Sequence, residues 1–183
     1  MERWDLFDKD GITLGRTIRR GERLRAGEYH KVVHIWIVNS MDRVLIQRRS
    51  KHRKLMPNIW AITSGSVVAG EESLTAACRE LREELGVALS ESDFLPLGRL
   101  TRRNSLCDVF LVCRDIAVTE MRLQREEVSE ARWVTAQQLT EMLRGRRFHH
   151  YGAGYFRFVF DAIKKAIGRD LAGEEDFTCL PKR

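Results

Sequence analysis

Glu80, Glu83 and Glu84 stand close together in the stretch SLTAACRELREELGV. Around them Leu74, Ala77, Cys78, Leu81 and Leu85 recur at helical spacing. That pattern predicts a helix over 73–85 with one apolar face, stopped by Gly86. At about 100° per residue the three acids share an arc of roughly a quarter turn beside that face. Packing the face down therefore crowds three carboxylates along its edge, and like charges at these spacings repel. A hard divalent cation offsets the repulsion. Mg²⁺ takes oxygen ligands, keeps several waters and shares its shell with substrate phosphates. The competing reading is a solvated acidic face with no chemistry.

The offsets around the acids decide between the two. Gly65, five residues, Glu71, seven residues and then Arg79-Glu80-Leu81-x-Glu83-Glu84-x-Gly86-Val87 resemble the Nudix box at every defining position. The resemblance implies an α/β fold, an α/β/α sandwich around a mixed β-sheet. It implies a hydrolase that cleaves the diphosphate bond of a nucleoside diphosphate linked to another moiety, X, with Mg²⁺, or Mn²⁺ in its place. Glu80 and Glu84 are then the leading metal ligands and Glu84 belongs to the catalytic set. Glu83 is a further ligand or a base acting through a bound water. Arg79 orients the acids by charge-assisted hydrogen bonds, with a plain surface salt bridge as its competing role. Glu71 holds the joint between loop and helix, and Gly65 lets the loop backbone approach the metal. Ser64-Gly65 stands where family members often have Gly-Gly. A fourth acid often lies outside the box, and Glu127 is the candidate, with Glu126 as rival. Residues elsewhere read X. Arg48, Arg49, Trp60, Arg102 and Asn104 are the candidate substrate contacts.

The segments GEYHKVVHIWIVNS, LIQRRS and MPNIWAITSG are similar to the branch of the family near isopentenyl-diphosphate isomerase. That enzyme needs a catalytic Cys and a metal-binding His shortly after the Trp. Counted from Trp60, those positions hold Gly65 and Val67. His30 matches an isomerase ligand, but its upstream partner position is Arg23. The hydrolase reading therefore stands ahead of the isomerase. A non-catalytic nucleotide-sensing module is the other rival, and the intact box counts against it.

The elements that must position the box follow from the same sequence. RWDLF (3–7), the turn DKDG and Ile12–Leu14 read as an N-terminal β-hairpin. Residues 15–28 read as a polar loop or arm. KVVHIWIV (31–38) and RVLIQRR (43–49) are strands joined by a turn, followed by a basic loop over 50–57. A short strand over 60–63 delivers the chain to Gly65. Further strands are expected within 94–103, over 106–114 and over 131–134. Helices are expected over 136–144 and 154–167, the latter with Phe156, Val159, Phe160, Ile163 and Ile167 on one face. Residues 168–183 read as a loosely held tail. Strands, then a helix, then strands and helices again point to one domain across 1–183, with a mixed sheet between helices.

Composition bounds the rest. The chain of 183 residues is 43% hydrophobic and 32% charged, the profile of a globular protein. No apolar run approaches a membrane span, and the N-terminus has no signal-peptide core, so no membrane partner and a cytoplasmic location are expected. Cys78, Cys107, Cys113 and Cys179 form no CxxC pair, which argues against zinc and disulfides and for buried free thiols. The net charge of +6 comes with paired arginines but without an aromatic-interleaved basic stripe. A small polyphosphate substrate accounts for it better than nucleic acid does. A homodimer through the N-terminal hairpin is compatible with the sequence.

Overall fold

A computed structural model describes residues 2–173. Nine strands and three main helices alternate along those residues. β1 (Arg3–Phe7) and β2 (Thr13–Arg19) form the N-terminal hairpin. A seven-stranded mixed sheet follows, built from β3 (His30–Val38), β4 (Val44–Arg49), β5 (Trp60–Ala61), β6 (Thr63–Ser66), β7 (Phe94–Thr101), β8 (Ser105–Cys113) and β9 (Val128–Val134). Its order is β5-β4-β3-β8-β7, with β6 paired to β3 and β9 paired to β4. β3 and β8 run parallel from His30↔Ser105 to Val38↔Cys113, while the other pairs are antiparallel.

The side-chain alternation of β3 divides the core in two. Val33, Ile35 and Ile37 pack with Ala77, Leu81 and Leu85 of α1 (Ser73–Leu85). Trp36 and Val38 point the other way, into α2 (Ala136–Arg144) and α3 (Ala153–Ile167). β8 repeats the division, with Phe110 and Val112 toward α1 and Cys107, Val109 and Leu111 toward α3. A strand covered on both faces has no polar side, so β3 and β8 are near-continuous apolar runs. The result is the expected α/β/α sandwich around a mixed sheet.

Four expectations are corrected. β2 continues through Thr17 to Arg19, although 15–28 reads as a loop. Its residues are mostly exposed, and pairing with β1 rather than burial makes the strand. β9 begins at Val128, because β4 pairs with it back to Arg49. Cys113 is exposed at the end of β8, whereas Cys78 and Cys107 are buried free thiols and Cys179 lies outside the described residues. The tail is anchored as far as it is described. Leu171 is buried, and Ala172 accepts from the Ala136 N–H and donates to the Asp42 carbonyl. Among the described residues no helix is long and apolar enough to cross a membrane.

Candidate active site

α1 is the element that aims the acids. Its apolar face is driven into the sheet, and it closes at Gly86, which takes φ 70° and donates its N–H to the Arg82 carbonyl at 2.9 Å. With Leu81 and Leu85 fully buried, Glu80 and Glu84 turn toward β6 and β4, and Glu83 stays exposed. Gly65, on β6, faces Glu80 directly. A Cβ built on Gly65 would lie 1.9 Å from the Glu80 Cδ, so only glycine leaves room for that carboxylate.

Arg79 is the hub of the local network. Its Nε and Nη2 donate to the two Glu71 oxygens at 2.8 and 2.9 Å. Nη1 donates to Glu80 at 2.8 Å and to Glu83 at 3.2 Å, and Nη2 also reaches the Ser66 carbonyl at 3.1 Å. Glu71 in turn accepts from the Val68 N–H at 3.1 Å, which ties the loop to the helix. The hydrogen bonds that Arg79 donates to Glu71 raise its pKa, against burial and with further help from Glu80. Burial pushes Glu71 up, but the bonds from Arg79 and Val68 outweigh it and hold the carboxyl below its ordinary value.

Glu84 is the buried acid of the set, 5% exposed. One oxygen accepts from Gln47 Nε2 at 2.6 Å, and Gln47 is braced by Thr63 Oγ1 at 3.3 Å. Burial pushes the Glu84 carboxyl up to about 7, with the Gln47 bond pulling the other way. Burial also raises Glu80, opposed by Arg79.

These groups surround one cavity of about 110 Å³. Glu80, Glu83, Glu84, Arg79, Gly65, Ser64 and Ser66 line it with Glu127 and Gln124 from the segment before β9. Arg53 from the basic loop, and Glu2 and Arg20 from the hairpin, complete the wall. Of the rival acids, Glu127 lines the cavity and is ion-paired with Arg53, while Glu126 is exposed and outside it.

The five residues expected to read X do not line the cavity. Trp60 is 8% exposed and lies under Arg132, whose guanidinium is 4.3 Å from the ring centroid. Arg48 and Arg49 donate to the carbonyls of Asn58 and Leu55 at 3.3 and 3.1 Å. Arg102 lies over the rings of Tyr151 and Tyr155, at 5.7 and 6.0 Å. The Asn104 carbonyl accepts from the His30 N–H at 3.3 Å. The sequence reading in turn omits Gln47, Arg53 and Arg20. Arg53 carried a signal, its place in a basic loop, but no offset links Arg20 or Gln47 to the box.

Could the cavity hold a metal? Among the described residues no three acidic, Cys or His side chains already converge on one point. Arg79 holds Glu80 and Glu83, and Gln47 holds Glu84. The donor set nevertheless fits a hard cation. It consists of carboxylate oxygens from one helix turn, a buried acid at its base and a glycine cradle that a Cβ would fill. A larger concavity of about 440 Å³ lies between the start of α1 and β7–β8, lined by Lys31, Ser73, Arg99 and Asp108 among others. Asp108 takes Ser73 Oγ at 2.5 Å and Arg99 Nη2 at 2.9 Å, and none of Glu71, Glu80, Glu83 and Glu84 lines it.

Residues 28–152 match the NUDIX domain. The chain belongs to the Nudix family. It is 36% identical over 152 residues to an uncharacterized Nudix hydrolase of Listeria monocytogenes, covering 82% of this chain and 90% of that protein. It is 28% identical over 178 residues to the isopentenyl-diphosphate Delta-isomerase of Streptomyces griseus, covering 92% and 86%. A crystal structure from Deinococcus radiodurans superposes with a TM-score of 0.69 at 28% identity, covering 80% of this chain and 91% of the other. The protein is thus a Nudix hydrolase, an enzyme class that acts on pyrophosphate bonds of small molecules with divalent metal ions.

Proposed function

We propose that this Nudix hydrolase is Mg²⁺-dependent and cleaves the diphosphate bond of a nucleoside diphosphate linked to another moiety, X. The observation that carries the reading is the Arg79 network, which holds Glu71, Glu80 and Glu83 around the Gly65 cradle with Glu84 buried beside them. Glu80 and Glu84 would hold the ion, with Glu83, Glu127 and the Gly65 backbone as further candidates. Mg²⁺ supplies neutralisation of phosphate charge and makes a bound water easier to deprotonate. Mn²⁺ would serve the same oxygen donors.

The chain's own groups do the rest. Arg79 bonds to Glu71, Glu80 and Glu83 at once, so the acids need little reorganisation when charge develops. Glu83 is exposed and held by one bond of 3.2 Å, which leaves it free to accept a proton from an attacking water or to join the ligands. Gln47 fixes the Glu84 carboxylate from below.

The isomerase reading meets a steric obstacle. Its nucleophile position is Gly65, where the Glu80 carboxylate fills the space a Cys side chain would need. The Val67 side chain, at the position of its metal-binding His, is buried apolar core.

The deciding experiment is turnover on a panel of diphosphates: nucleoside di- and triphosphates, dinucleoside polyphosphates, ADP-ribose, NADH, CoA and isoprenyl diphosphates. Each is run with Mg²⁺, Mn²⁺ and EDTA beside Glu84→Gln. Metal-dependent turnover of one compound, lost in the variant, is the expected result and names X. Retained nucleotide binding without turnover would instead establish a sensing module.

A further inference from the structure

Two guanidinium groups in the glutamate cavity come from outside the box and from unrelated segments. Arg20 stands just past β2 on the N-terminal hairpin, and Arg53 stands in the basic loop between β4 and β5. Both line the cavity with Glu80 and Glu84. Arg20 Nη1 pairs with Glu2 Oε2 at 2.6 Å, and Arg53 pairs with Glu127.

Arg20 is delivered by fixed backbone. Its N–H donates to the Glu2 carbonyl at 3.0 Å, so it closes the open end of the hairpin. The hairpin itself is fastened to the loop before α1. The Ala69 N–H donates to the Arg3 carbonyl at 2.8 Å, and the Gly70 N–H donates to Asp5 Oδ2 at 2.7 Å. Trp4 stacks on His30 with centroids 4.0 Å apart. These contacts hold Arg20 against the cavity wall.

Burial disfavours the charge on Arg53, whose side chain is 23% exposed; Arg49 and Arg20 add to that, while Glu84 and Glu80 oppose it. A phosphate oxygen bound to Arg53 would replace hydration that burial removes. The guanidinium fork also matches phosphate oxygens in geometry. Arg79 has no N–H left for such a ligand, because Glu71, Glu80, Glu83 and the Ser66 carbonyl take its bonds. Arg20 and Arg53 are placed differently. Their partners lie at the rim, with the Glu2 side chain 44% exposed and that of Glu127 27% exposed. The exposed Arg20–Glu2 pair contributes little and exchanges readily, while the half-buried Arg53–Glu127 pair must give up one partner to take a phosphate.

We propose that Arg20 and Arg53 form a two-sided clamp on the phosphate groups of the substrate, which makes the N-terminal hairpin a wall of the substrate site. The clamp rests on the reading of the cavity as a diphosphate-hydrolysing centre. It reads the phosphates and not X, so its loss raises KM for every diphosphate the enzyme accepts, by a similar factor.

The test is calorimetric titration of the Mg²⁺-loaded full chain with imidodiphosphate, whose P–N–P bridge resists cleavage. Arg20→Ala and Arg53→Ala are each expected to weaken binding roughly tenfold to a hundredfold, the loss of one charged hydrogen-bonding partner. Mg²⁺ binding without the anion and the thermal melt of Arg20→Ala stay at wild-type values, and Arg20→Lys recovers part of the affinity. Binding as tight as wild type in either variant, or no binding by the wild type, overturns the clamp. Turnover is read separately. Wild type that binds imidodiphosphate through both arginines but cleaves no substrate retires the hydrolase reading and leaves the clamp standing. Turnover with an unchanged KM in either variant does the reverse.

Discussion

Arg79 grips Glu71 with two parallel hydrogen bonds, at 2.8 and 2.9 Å, across the joint between the Gly65 loop and α1. The same guanidinium then reaches Glu80 and Glu83 with its remaining edge. Only a planar group with a fork of donors can do both. Lysine offers one point charge. Arg79→Lys is therefore expected to lower kcat roughly 10- to 100-fold through misplaced carboxylates. Glu71→Gln removes the other half of the same grip. In a double-mutant cycle the pair should cost clearly less than the sum of the two singles. Additive losses would show that Glu71 and Arg79 act separately.

Gly65 makes a second prediction, about space. Its missing Cβ is occupied by the Glu80 carboxyl group, 1.9 Å from where that carbon would be. Gly65→Ala must push the carboxylate off its bond to Arg79. Expected are a weaker Mg²⁺ titration and a kcat reduced roughly a hundredfold, in line with a displacement of about 1 Å at a catalytic group. The circular dichroism spectrum should be unchanged. Unaltered Mg²⁺ binding and turnover would show that Glu80 need not sit where it does.

Gly86 makes a prediction about the fold rather than the chemistry. It ends α1 at φ 70°, and a Cβ there would lie 2.6 Å from the Arg122 Cβ and 2.9 Å from the Arg122 backbone N. Both the conformation and the space exclude a side chain. Gly86→Ala should lose about 1–3 kcal/mol of stability in urea unfolding. The Arg122 N–H donates to the Leu85 carbonyl at 2.9 Å, so the loss should loosen the segment leading to Glu127 as well. A midpoint equal to wild type would overturn this account of the helix end.

His34 and His30 give a pH prediction. Burial holds the His34 imidazole down to about 3, with the charges of Arg102 and His149 adding to it, and Tyr155 Oη lies 2.7 Å from Nδ1. Burial likewise holds His30 at about 4. Both folded values lie below the ordinary 6.5 of the unfolded chain. Above 6.5 the rings are neutral in either state and take nothing from the stability. As pH falls from 6.5 toward these values the unfolded chain takes up protons that the folded one refuses. Stability is then lost at up to about 1.4 kcal/mol per pH unit for each ring. Glu84, pushed up to about 7, acts in the opposite sense over the same range, so the check is a difference: between pH 7 and pH 5 the urea midpoint of His34→Gln should lose less, or gain more, than that of wild type. An equal change in the two would show that His34 does not contribute to it.

The box was legible in the sequence because it is local. Helical spacing alone places Glu80, Glu83 and Glu84 on one edge of an apolar helix, and Arg79 reaches Glu80 and Glu83 within a single turn. Gly65 and Glu71 lie a fixed short distance upstream, so their positions beside Glu80 and Arg79 follow the chain. The two-sided burial of β3 and β8 was legible too, as uninterrupted apolar runs. β2 was not, because an exposed strand takes its order from hydrogen bonds to β1 and leaves no hydrophobic pattern to read.

The cavity around the box is another matter. Gln47 meets Glu84 across 37 positions, and Arg20, Arg53 and Glu127 come from three separate segments. No spacing rule connects such residues, since their approach is set by sheet order and by the docking of the hairpin. For the same reason Trp60, Arg48, Arg49, Arg102 and Asn104, chosen by residue type, do not line the cavity, although Arg49 is near enough to act on Arg53 and Glu84. Sequence alone determined the helix and the edge on which its acids stand, because a repeating backbone geometry converts offsets into directions, and the box offsets carried the family resemblance. Tertiary structure decided how deeply Glu84 is buried and which arginines face the acids, because burial and charge proximity depend on every element packed around them.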